Sequence, residues 1–195
     1  MKTTLFLIFV MLSVTTAETS GRTKQQHKER RYASPDGSLI VVVVPVGKEA
    51  ARSEYESRIE FKSSDGKIAC AIDYSSEDSE HGFGVVKAEW TPDSQYFVFS
   101  LTSSGGHQAW HSATQFLSRK DETVHTLDDY SQFPISKANF RLSAPSIVKT
   151  EIVGVDKSIP VSVNLAALPQ PHSWRKSKPF SIDCVGGHIF RPDQP

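Results

Sequence analysis

The chain is poor in cysteine, carries no excess of charge and, beyond its first residues, has no long apolar run. Its 195 residues include two cysteines, and its 22 basic and 22 acidic side chains cancel. A near-neutral chain lacks the broad basic footprint of a nucleic-acid binder, so no nucleic-acid partner is expected. The longest apolar run, Leu5 to Val14, is too short for a comfortable membrane span. The pentapeptide Gly-x-Ser-x-Gly, which sets a nucleophile at the top of a hydrolase sheet, is missing as well.

The start of the chain reads as a signal peptide. Lys2 supplies the positive charge, Leu5 to Val14 the apolar core, and Thr15-Thr16-Ala17 the small residues before a cut. Cleavage after Ala17 leaves 178 residues with a net charge of about −1, destined for a secreted or periplasmic location, with no stable membrane span after processing. Residues 18–31, bearing Arg22, Lys24, Lys28, Arg30 and Arg31, read as a mobile basic leader. Residues 32–168 then form one all-β domain, and 169–195 a tail whose prolines at 169, 171 and 179 make it extended and edge-hugging. An exported compartment permits a disulfide, for which Cys70 and Cys184 are the available pair. Two separate thiols are the alternative.

The strongest local signal is Trp90-Thr91-Pro92-Asp93-Ser94 followed by Tyr96-Phe97-Val98-Phe99. Pro92 presets φ for a tight turn, Asp93 and Ser94 bond nearby amides, and the aromatic and β-branched residues after them suit a buried strand. The phrase has an earlier counterpart in Ser34-Pro35-Asp36-Gly37 before Leu39 to Val44, with Asp36 lying 57 residues ahead of Asp93. Ser38 to Val46 suggests a strand buried on both faces. Arg58 to Lys62 and Lys67 to Asp73 flank the hairpin turn at Ser63 to Gly66, and Val85 to Trp90 pairs with the strand after Pro92. Gln108 to Leu117 and Val124 to Leu127 complete a four-stranded meander, one helical turn fits within 128–135, and strands at 147–153 and 161–165 form a further pair. The expected fold is all-β, with antiparallel blade-like meanders forming an incomplete propeller or a β-sandwich.

On these residues the chain resembles the TolB-type, WD-repeat-like β-propellers. The resemblance rests on the two Pro-Asp turns with their following strands and on Gln108-Ala109-Trp110, and covers about residues 31–127. It implies a propeller-like scaffold for protein–protein contact. At a 57-residue spacing the processed chain holds about three units, fewer than the four or more blades of a closed ring.

Candidate chemistry is sparse. His107 and His111 share one strand face, with His125 on the next strand, a set of imidazoles of the kind that binds zinc or copper. Residues four apart on a strand are ~13 Å apart, too far for one ion without a bulge. Polar positions on a solvent-facing strand are the simpler account. Glu77, Asp78 and Glu80 lack the spacing of a calcium loop, and Ser103 and Ser104 near His107 are explained by a glycine-rich hairpin. Alternation sends the aromatics of these strands to both faces, most of them into the core; if Trp110 and Tyr96 instead share an exposed face with His107 and His111, they form the candidate binding patch for a protein or glycan. The sequence therefore points to an exported, non-catalytic binding or scaffolding module with no cofactor and a protein partner. A metal-dependent hydrolase or glycan-acting protein using a histidine-bearing strand face is the competing class.

Overall fold

The computed structural model describes residues 28–46, 56–105, 113–131, 134–136, 138–154 and 157–169, with the backbone of 180–181 and 189–190. Residues 1–27, which hold the expected signal peptide and most of the expected leader, lie outside the described residues, as do His107, Trp110, His111 and Cys184. The described chain is all-β and forms three sheets, none closed into a barrel. In the first sheet β1 (Arg30–Ala33), β2 (Leu39–Val46), β3 (Glu56–Ser63) and β4 (Ile68–Asp73) make an antiparallel meander. In the second sheet β5 (Phe83–Trp90), β6 (Tyr96–Ser103), β7 (Thr114–Ser118) and β8 (Thr123–Thr126) repeat it. The third sheet is three-stranded, from β9 (Arg141–Ser143), β10 (Ile147–Val153) and β11 (Ser158–Asn164). Two short strands from the tail extend the first two sheets: β12 (Phe180–Ser181) pairs antiparallel with β8, and β13 (Ile189–Phe190) parallel with β4. At these four positions the chain lies along a sheet edge. Arg30 and Arg31, expected from sequence to belong to a mobile leader, instead pair with Val43 and Val42 in β1.

Two cores separate the three sheets. Val41, Val43, Ile59, Phe61 and Ile72 of the first sheet meet Val85, Trp90, Phe97, Phe99, Leu117 and Val124 of the second. The opposite face of the second sheet contributes Val98 and Phe116, which meet Val148, Ile152 and Val163 of the third, with Ile135 and Phe140 between them. The second sheet is thus the middle layer, buried on both faces, and this explains why β6 reads as an unbroken apolar strand. The same holds for β2: Val41 and Val43 enter the core, while Val42 faces away from it and is also fully buried.

The 57-residue repeat extends to individual hydrogen bonds. In the first turn the Ser34 amide donates to Leu39 O at 2.8 Å, and the Ser34 hydroxyl to Asp36 Oδ1 at 2.6 Å. In the second turn the Thr91 amide donates to Tyr96 O at 2.9 Å, and the Thr91 hydroxyl to Asp93 Oδ1 at 2.6 Å. The amides of Ser38 and Gln95 both donate to these carboxylates at 3.1 Å. Successive turns also touch. The Asp36 amide donates to Ser94 Oγ at 3.0 Å, and the Asp93 amide to Pro145 O, in the β9–β10 turn of the third sheet, at 3.4 Å. Equivalent turns therefore lie side by side in chain order across the three sheets.

Candidate functional site

Each sheet has a turn end and, in the first two, a loop end. The turn end carries the turns 34–38, 63–67, 91–95 and 118–123; the loop end carries residues 74–82 and the chain leaving β6 at Ser103 and entering β7 at Thr114.

One recurring device builds the turns of the turn end and recurs at Asp78 in the loop 74–82. Every non-glycine or glycine residue with positive φ among the described residues follows an aspartate: Gly37, Gly66, Ser79, Ser94 and Glu122. In each case that aspartate accepts the amide two positions on: Ser38, Lys67, Glu80, Gln95 or Thr123. A carboxylate closing its own turn stabilises the left-handed position after it, where a Cβ is otherwise strained. Asp36 is bound further by Arg119, whose Nη1 lies 2.7 Å from Asp36 Oδ2 and donates to Ser94 O at 2.9 Å, while Nη2 donates to Ser38 Oγ at 3.0 Å. Arg119 so joins the first two turns. The Ser34 hydroxyl and then Arg119 hold the Asp36 carboxyl well below the usual range, and the Glu80 amide followed by His81 does the same for Asp78.

At the loop end the central group is Glu56, a buried carboxylate at the start of β3. Oε2 accepts the Ser76 amide at 2.7 Å. Oε1 accepts the Ser76 hydroxyl at 2.6 Å, the Gly82 amide at 2.7 Å and the Ser104 hydroxyl at 2.8 Å. These donors come from the loop 74–82 and from the chain just after β6, so one carboxylate ties both to the first sheet. Gly82 is required there, since a Cβ would lie 2.4 Å from Glu56 Cδ and 2.4 Å from Tyr74 O. Beside them the buried Tyr74 hydroxyl donates to Gln115 Oε1 at 2.6 Å, and burial pushes its pKa well up. The pinned loop projects exposed Glu77, Asp78, Glu80 and His81.

Of the residues singled out from sequence, Tyr96 opens β6 at the turn end, half-buried, its ring 6.0 Å from that of Phe116. Ser103, from which the chain runs toward His107, Trp110 and His111, closes β6 at the far end. At ~3.3 Å per residue the two ends of this strand are ~23 Å apart. His125 is spoken for: its ring stacks on Phe116 with centroids 5.1 Å apart, Nε2 lies 3.3 Å from Asp121, and Nδ1 lies 3.2 Å from the Tyr130 hydroxyl. Cys70 is buried in the first core, on β4. Among the described residues no three His, Cys, Asp or Glu side chains gather to hold a metal ion. Ser76, Asp78 and His81 lie together: the Ser76 hydroxyl donates to the Glu56 and Asp78 carboxylates, and Asp78 closes its turn by accepting the Glu80 amide.

Glu56 and Arg119 escaped the sequence reading. Their partners lie 20 to 83 residues away, and nothing local marks them. The aspartate turns do leave a signal, a Ser or Thr two residues before Asp with Gly or Ser after it, as in Ser34, Ser63, Ser76 and Thr91. A scan of protein-family models finds no match for this chain, and a search of curated proteins finds none either. Among the described residues no helix is long and apolar enough to cross a membrane.

Proposed function

We propose that the chain is an exported, non-catalytic binding module, a partial propeller resembling the TolB-type repeats, that contacts a protein partner through its loop end. The observation that carries this reading is the Glu56 anchor: a buried carboxylate rigidifies the base of an exposed loop on a stacked-sheet scaffold, the arrangement in which loops serve recognition. The exposed Glu77, Asp78 and Glu80 favour a basic partner surface, and Trp110 with the two neighbouring histidines supplies the aromatic contact. Tyr96, at the turn end, is a secondary contact.

The test uses the exported protein, whose intact mass is expected to show cleavage after Ala17. A partner captured from the native exported fraction is purified and titrated against wild type, Glu77→Lys with Glu80→Lys, and Trp110→Ala. Weakening of at least about tenfold in both loop-end variants, with the fold unchanged, supports the reading. Equal affinity in all three, or stoichiometric metal with hydrolytic turnover in the purified chain, refutes it.

A further inference from the structure

Leaving the tail strands aside, the sheets end at β1 and β4, at β5 and β8, and at β9 and β11; β4, β8 and β11 are the last strand of each sheet in chain order, and an open strand edge invites pairing with other chains. The β11 edge carries its own protection. The Leu165 amide donates to Ser146 O at 2.9 Å, so by antiparallel alternation the ladder bonds run through Val163, Val161 and Ile159, opposite Val148, Thr150 and Ile152. Pro160 falls between them, where the backbone amide faces outward, and proline has none to offer.

Neither β4 nor β8 contains a proline, and β4 also exposes Ile68, at 49 %. These two edges are the ones the tail occupies, Phe180 opposite Val124 and Ile189 opposite Ala71. Ala71 is the position expected to offer its backbone outward, because the Tyr74 amide donates to Ser57 O at 3.0 Å and alternation places Ile72 in the β3 ladder. The tail meets the sheets in the order third, second, first. Residues 182–188 span up to ~25 Å when extended, ample for the ~10 Å between packed sheets. The tail also has the composition to dock, with Trp174, Phe180, Ile182, Val185, Ile189 and Phe190.

We propose that the outer edges of β4 and β8 form a peptide-docking surface whose occupant is the chain's own segment 170–195, added in cis as a strand to each sheet. The segment is an edge guard, separable from the two cores, and does for the first two sheets what Pro160 does for the third.

The experiment compares the full chain with one ending at Pro169, by backbone hydrogen exchange with thiols reduced. Protection at Ala71–Asp73 and Thr123–Thr126 is expected to fall at least about tenfold on truncation while Phe97–Leu101 stays protected, and a synthetic peptide 170–195 is expected to restore it. A full-length Phe180→Pro, Ile189→Pro chain is expected to show the same local loss. Unchanged edges in both variants overturn the proposal. So does loss of protection through Phe97–Leu101, which makes the tail part of the core, and so does protection in the full chain that falls on dilution, which makes the occupant a second copy.

Discussion

Phe97, Val98 and Phe99 are consecutive and all three are fully buried, although strand geometry sends Val98 to the opposite side. From sequence alone, Val98 is the position expected to tolerate truncation. The third sheet overturns this by covering that face, where Val98 packs with Phe116 and Val148. Phe97→Ala and Phe99→Ala are each expected to cost ~3–5 kcal/mol, and Val98→Ala ~2 kcal/mol, in thermal or denaturant unfolding. A Val98 variant as stable as wild type would remove the second core. Gly82→Ala forces a Cβ against both the Glu56 carboxyl and the Tyr74 carbonyl. Because one of those atoms is backbone, a cost of ~1–3 kcal/mol is expected. Hydrogen exchange should place the damage in residues 74–82, and damage spread evenly over all three sheets would contradict the anchoring role of Glu56.

At the scale of elements, the aspartate turns predict a pH dependence. Asp36 is held low first by the Ser34 hydroxyl and then by Arg119, Asp65 first by Ser63, and Asp78 first by the Glu80 amide. A carboxyl whose folded pKa is depressed contributes stability that is complete above the ordinary aspartate value of about 4 and is lost as pH falls through the lower folded value. Melting temperature is therefore expected to hold from pH 7 to about 5 and to decline below about 4. Asp36→Asn combined with Asp78→Asn should be less stable at pH 7 and should lose less on acidification. An acid decline as steep in that variant as in wild type would show that other groups are responsible. Strand order and turn positions in the first two sheets were legible because turn and strand chemistry are local. Strands β1 and β9 were not, since Arg30 to Ala33 and Arg141 to Ser143 are short and earn their structure only by pairing with β2 and β10.

For the whole molecule, we propose that Cys70 bonds Cys184. β13 pairs beside Cys70, at Ala71 and Ile72, and Cys184 precedes Ile189 by five residues. Non-reducing peptide mapping of exported protein is expected to yield one cross-linked peptide, and reduction to lower stability by ~2–4 kcal/mol. Quantitative alkylation of both thiols in native material would sink it. By itself the sequence determined the all-β class, the 57-residue repeat and the aspartate turns, because alternation, β-branching and side-chain closure of a turn act within a few residues. Only the tertiary structure decided that the second sheet is the middle layer, that Val98 is core, that His125 stacks on Phe116, and that Glu56 and Arg119 join distant segments. Those outcomes depend on which surfaces stack and which distant donors meet one carboxylate, and neither periodicity nor spacing along the chain carries that information.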